Sequence, residues 1–239
     1  MRIAMWSGPR NLSTAMMYAF AARGDCAVVD EPFYAAYLDR TGIDHPMRAE
    51  ILASQPRDPD RVVAALTGPV PGGKPHFYQK HMTQHMIPDL PRDWMREVVN
   101  LFLIRHPARV VASYAAKREA PVIADIGFRQ QAELYRMLCD WGQAPVVIDS
   151  YDIRRDPAAA LGALCAAIGL DFTPAMLSWP AGGHADDGVW AAHWYGAVHR
   201  STGFAGPEGP LPDLDGAYAD LAAAALPDYQ ALRRVALRI

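Results

Sequence analysis

Five short apolar runs, each ending in polar residues, constrain this chain more than any other feature. They are residues 2–7, Cys26–Val29, His76–Gln79, Val98–Ile104 and Pro145–Ile148. Helical patterns separate them. The first covers about Asn11–Arg23 and closes at Gly24. The second opens at Pro107, where a missing N–H costs nothing, and runs to about Lys117. Two more cover residues 126–141 and the stretch from Asp156-Pro157 to about Ile168, capped by Gly169. Short strands alternating with helices are buried on both faces, which predicts an α/β fold with a parallel sheet of about five strands. Residues 34–75 are polar and Pro-rich with short helical pieces, and the segment PVPGGKP at 69–75 is a loop. After residue 170 the pattern weakens, apart from an Ala-rich helix near residues 217–226. A length of 239 residues fits one domain, 1–239, and 51% apolar residues supply its core.

Charge and composition narrow the function classes. The formal net charge is -3, so no global basic field draws the chain to nucleic acid or an anionic membrane. No apolar run reaches the roughly 20 residues that span a bilayer. The first apolar run meets Ser7-Gly8-Pro9-Arg10 too early for a secretory signal. Cys26, Cys139 and Cys165 lack CxxC spacing and are odd in number. That suits free thiols and a cytoplasmic location.

In a parallel sheet, ligands sit beyond the carboxyl ends of the strands. Those ends carry Ser7, then Asp30 and Glu31, then Lys80 and His81, then Arg105, then Asp149 and Ser150. The sharpest is the first turn, SGPRNLST at 7–14. Gly8 allows a tight turn, and free amides at the helix start favour an anion. Arg10 adds a cation, while Ser13 and Thr14 add hydroxyls. The loop lacks the second Gly and the Lys of a Walker A sequence. An ordinary N-cap by Asn11 or Ser13 is the plainer reading. A second segment, LIRHPARVVASY at 103–114, places Arg105 at a strand end and Arg109 and Ser113 on one helix face. A guanidinium with a hydroxyl suits a second phosphate; a surface ion pair and a helix interior are the alternative.

Together the two segments resemble the sulfotransferases that use 3′-phosphoadenosine 5′-phosphosulfate (PAPS). The resemblance implies a three-layer fold like that of P-loop NTPases. It implies that Gly8, Arg10, Asn11, Ser13 and Thr14 hold the 5′ end of PAPS. Arg105 and Ser113 would hold the 3′-phosphate of PAPS and of its product, PAP. More loosely, HRSTGF at 199–204 is similar to a closing loop, which would add Arg200. Asn11-Leu12 and His106 depart from the usual pattern without removing a charge or hydroxyl. Sulfuryl transfer to a small-molecule hydroxyl or amine needs a base and a cation but no metal. The family uses an acid near the second strand's end or a His after a Lys on the third. DEPF offers Glu31 and YQKH offers His81, with Lys80 near the bridging oxygen. His81 and His85 have zinc-like spacing but no third ligand. Trp190, His193 and Trp194 recur at helical spacing, as a core face or an acceptor wall. Two other readings stay open: a kinase with magnesium on Asp30 or Asp149, and a nucleotide-binding module without chemistry.

Overall fold

The structure is a computed structural model that describes residues 1–116 and 121–239. Strand β1 (Arg2–Ser7) leads into helix α1 (Ser13–Ala22) and then β2 (Cys26–Asp30). Three helices follow: α2 (Tyr34–Thr41), α3 (Arg48–Ser54) and α4 (Pro59–Thr67). After β3 (His76–Met82) and β4 (Val99–Ile104) come α5 (Pro107–Ala115), α6 (Ile123–Ile126) and α7 (Phe128–Asp140). Strand β5 (Val146–Asp149) is followed by α8 (Ser150–Arg155) and α9 (Pro157–Ala167). Short helices α10 (Ala191–Trp194) and α11 (Gly196–His199) precede the long α12 (Gly216–Val235).

The strands form one parallel sheet in the order β2-β3-β1-β4-β5. Alternation along each strand divides the core into two layers. Ile3 and Met5 of β1 face one side with Tyr78, Leu103 and Ile148, under α1 and α9. Ala4 and Trp6 face the other with Phe77, Phe102 and Val147, under α4, α7 and the end of α12. This is the three-layer α/β arrangement, with five parallel strands, that the sequence predicts.

The differences are local. Helix α1 begins at Ser13 rather than Asn11. Strand β3 continues through Met82 instead of stopping at Gln79. Helix α8 follows β5 directly, and α12 runs through Pro227 well past residue 226. Helix α5 ends at Ala115; Lys117 lies outside the described residues.

Side chains lock the carboxyl ends of β1 and β4 together. Gln131 of α7 donates from Nε2 to Trp6 O at 3.0 Å and to Leu103 O at 2.9 Å. Gly8 is needed here for close approach: a Cβ on it would stand 2.5 Å from the Ile126 carbonyl oxygen. Among the described residues, no helix is long and apolar enough to cross a membrane.

Candidate active site

The turn after β1 is built differently from an ordinary cap. Arg10 and Leu12 both adopt left-handed backbone, with φ of 61° and 72°. Such angles cost energy in residues with a Cβ and mark functional turns. Leu12 is the N-cap of α1 and offers no capping side chain. The expected caps, Asn11 and Ser13, therefore do not close the helix. Asn11 is instead buried under the loop, where Nδ2 donates to Leu103 O at 3.3 Å and Oδ1 has no partner. The first turn of α1 thus keeps its positive end without a side-chain acceptor, which is an anion-binding arrangement.

Two arginines border that turn. Arg10 donates from Nε to Ser113 Oγ at 2.9 Å, and Arg105 donates from Nη1 to Arg10 O at 2.7 Å. Burial, then the neighbouring Arg105, lowers the Arg10 pKa from its ordinary 12.5. A buried cation beside a second cation is stabilised by an anion. Among the described residues no carboxylate lies within ion-pair distance of Arg10, whereas Arg105 pairs with Glu208. Arg10, expected at the 5′ end, and Ser113, expected at the 3′-phosphate, are thus bonded to each other across 103 residues.

The ends of β2 and β3 supply the second cluster. Lys80 is buried, and its ammonium donates to Asp30 Oδ1 at 2.7 Å, Glu31 Oε1 at 2.6 Å and Tyr195 Oη at 2.6 Å. All three of its protons are used. Burial lowers the Lys80 pKa, but Asp30 and Glu31 outweigh it and leave it above the usual value. Burial raises the Glu31 carboxyl above 4.5; Lys80 opposes that shift and Asp30 adds to it. Glu31 also has a positive φ of 40°, a strained angle at a strand end. Tyr195 Oη donates to Asp30 at 2.8 Å, accepts from Trp190 Nε1 at 3.0 Å, and stays protonated because burial pushes its pKa up.

Both clusters open on one cavity of about 350 Å³. Arg10, Asn11, Ser13, Thr14, Glu31, Lys80, Arg105 and Ser113 line it, as the sequence reading requires. Three named residues do not. Gly8 shapes the turn from beneath. Arg200 is exposed, and the cavity takes Ser201, Gly203 and Phe204 from that segment instead.

His81 is the main correction. It stacks on Trp6 with ring centroids 4.4 Å apart, beside Trp94 and Phe33, in the layer opposite Lys80. Burial, then Lys80, lowers its pKa to about 3, so the ring is neutral across the working range. A strand that continues past Lys80 must turn successive side chains to opposite faces, and this removes His81 from the cavity. His85 stands there instead, stacked between Tyr34 and Tyr37, with Nε2 3.9 Å from Glu31 Oε2. His81 and His85 thus lie in different layers. Among the described residues, no group of three His, Cys, Asp or Glu is placed to hold a metal.

Sequence reasoning missed Tyr195 and the place of His85 in the cavity wall. The Trp190–His193–Trp194 pattern was the one available signal. It divides: Trp190 is buried, Trp194 lines the cavity and His193 is exposed. Asp149 is committed elsewhere, accepting from Tyr151 N at 2.9 Å and from Tyr229 Oη at 2.7 Å.

Comparison with known proteins places these features in a wider set. The family model for the sulfotransferase domain matches residues 1–236. Two Arabidopsis thaliana proteins, branched-chain-amino-acid aminotransferase-like proteins 2 and 1, are 37% and 38% identical to this chain. Each match covers 97% of this chain but 41% of the relative, so the chain spans less than half the length of these relatives. Among solved structures, the fold is similar to the sulfotransferase domain of the Synechococcus PCC 7002 olefin synthase. The TM-score is 0.54, with 17% identity and 94% of each chain covered. The sulfotransferase domain from the curacin biosynthetic pathway is similar at a TM-score of 0.52 and 16% identity, covering 94% of this chain and 96% of that one.

Proposed function

The chain belongs to the sulfotransferase domain family, and from that premise we propose that it is a cytoplasmic enzyme moving a sulfuryl group from PAPS to a hydroxyl or amine of a small-molecule acceptor. The observation that carries the reading is the shared cavity. It brings the uncapped start of α1, Arg10 and Arg105 to the same space as the Lys80–Glu31 pair. The donor set fits a nucleotide with phosphates at both ends. Ser13, Thr14 and Arg10 suit the 5′ end, and Arg105 with Ser113 suits the 3′-phosphate. When bound, PAPS supplies the activated sulfuryl group.

Glu31 is the base. Its carboxylate takes the proton from the acceptor hydroxyl or amine, and its raised pKa makes it a better proton acceptor than an ordinary carboxylate. Lys80 is coupled to that step. While Glu31 is ionised it holds one Lys80 proton at 2.6 Å. Once Glu31 is protonated that hold weakens, and an N–H becomes free as negative charge gathers on the departing phosphate. Asp30 and Tyr195 keep the ammonium in place meanwhile. The wall of Tyr34, Tyr37, His85 and Trp194 bounds the acceptor side.

No observation favours the magnesium-dependent kinase. Asp30 already accepts from Lys80, Tyr195 and Gly188 N, and Asp149 caps α8. The name shared by the Arabidopsis relatives describes proteins of which this chain spans 41%.

Arg105→Ala tests the donor assignment. PAP affinity is expected to fall roughly 10- to 150-fold, the loss of about 1.5–3 kcal/mol from one charged hydrogen-bonding group. AMP, which lacks the 3′-phosphate, changes little. Calorimetric titration of both nucleotides measures the difference, and equal losses remove Arg105 from a 3′-phosphate site.

A further inference from the structure

Glu208 lies between α11 and α12, in the segment Gly206-Pro207-Glu208-Gly209-Pro210. Its side chain is 1% exposed although the segment has no regular structure. Three guanidinium groups converge on it from three elements of the fold. Arg105, just past β4, donates to Oε1 from Nε at 3.1 Å and also from Nη2. Arg154 of α8 donates from Nη1 to the same oxygen at 2.9 Å. Arg109 of α5 places Nε 3.0 Å from Oε2. The same arginines grip the strap's backbone: Arg154 Nε donates to Gly206 O at 2.8 Å, and Arg109 Nη2 donates to Gly209 O.

One carboxylate does not balance three guanidinium groups. A cluster of this kind, with forked donors aimed at one point, matches a phosphate dianion better than a single carboxylate. Arg105 lines the cavity whereas Arg109, Arg154 and Glu208 do not, so Arg105 is the residue through which cavity and cluster meet. A Cβ built on Gly206 or on Gly209 would meet no atom within 4 Å. Each glycine precedes a proline, so Glu208 sits between a pair of flexible-then-rigid joints.

We propose that Arg105, Arg109 and Arg154 form one anion site for the nucleotide's 3′-phosphate, and that Glu208 is its built-in occupant, displaced as that phosphate enters. The proposal rests on the PAPS reading and adds Arg109 and Arg154 to it as residues that distinguish a 3′-phosphorylated nucleotide from a plain one. The strap competes with the donor: apparent affinity is reduced by the fraction of molecules in which Glu208 holds the arginines. It also sets a threshold. A nucleotide without the 3′-phosphate gains nothing from displacing Glu208.

The test is titration of the full chain and its Glu208→Gln variant with PAP and AMP. The variant keeps the side-chain shape and removes the charge. It is expected to bind PAP about tenfold tighter, by raising the fraction of open sites, and to bind AMP as before. Adding Arg154→Gln to that variant is expected to abolish the gain. Hydrogen exchange in the unaltered chain gives a second readout that needs no variant: saturating PAP speeds exchange at residues 206–209. PAP binding to Glu208→Gln equal to or weaker than to the unaltered chain, or unchanged exchange in the strap, overturns the proposal alone. PAP binding to neither protein overturns the donor reading and the proposal together.

Discussion

Glu31→Gln lowers turnover by about 10²- to 10⁴-fold, the contribution of a positioned general base, and leaves PAP affinity nearly unchanged. The amide keeps the carboxylate's size, and Lys80 keeps Asp30 and Tyr195 as partners. The fold therefore survives while the proton acceptor is lost. The pH profile carries a second signature. Burial raises the Glu31 pKa above 4.5, so the acid limb of the rate profile lies above the ordinary carboxylate range. In the variant that limb disappears, because no group at this position titrates. Full turnover by Glu31→Gln would sink the base assignment and pass the role to His85, the cavity-lining histidine 3.9 Å from the Glu31 carboxylate. Loss of PAP binding together with turnover would place Glu31 in donor binding instead.

Lys80→Met destabilises the protein by about 3–5 kcal/mol at neutral pH, because removing one member of a buried ion cluster leaves its partners unpaired. Methionine fills nearly the same volume, so packing is not the cause. The Asp30 and Glu31 carboxylates then face each other without the ammonium between them. The sign with pH follows from the direction of the Glu31 shift. Its folded pKa is raised by burial and lowered by Lys80, so losing Lys80 raises it further. An acid with a raised folded pKa stabilises the fold below its unfolded pKa, and that contribution is lost as pH rises through the folded value. The variant's deficit is therefore largest near neutral pH and shrinks as pH falls toward 4.5; it shrinks again in strong alkali, where the raised Lys80 of the unaltered protein loses its proton. Chemical denaturation of both proteins across this range measures it. A deficit that stays constant with pH would mean that packing, not charge, holds the site together.

The sheet was legible because its signal is local and repeated. Each strand is a short apolar run with a polar end, and the run needs no knowledge of its neighbours. Arg10, Ser13, Thr14, Glu31 and Arg105 could be placed on the cavity for the same reason: they follow strand ends, whereas Lys80 lies within β3 and Ser113 within α5. His81 was misassigned on a question of length. An expected strand end at Gln79 leaves Lys80 and His81 in a loop, free to point the same way. A strand through Met82 sends them to opposite layers, and three residues of extension decide which one faces the cavity. Arg200 failed differently. Its segment does close on the cavity, but through Ser201, Gly203 and Phe204; a loop's orientation is set by what packs on it, not by its composition. Tyr195 was signalled only by its neighbours Trp190 and Trp194, and Glu208 left no mark in the sequence. Tyr195 meets Lys80 across 115 residues and Glu208 meets Arg105 across 103. Nothing in the local pattern sets Glu208 apart from an ordinary surface residue.

On the proposed function, the cavity recognises a nucleotide through phosphates at both ends and without a metal. Calorimetric titration of the full chain with PAP, AMP and ATP, each with and without magnesium, tests it most directly. Tight PAP binding that magnesium does not alter is expected, with AMP much weaker. Preference for magnesium with ATP, or equal affinity for PAP and AMP, would contradict it.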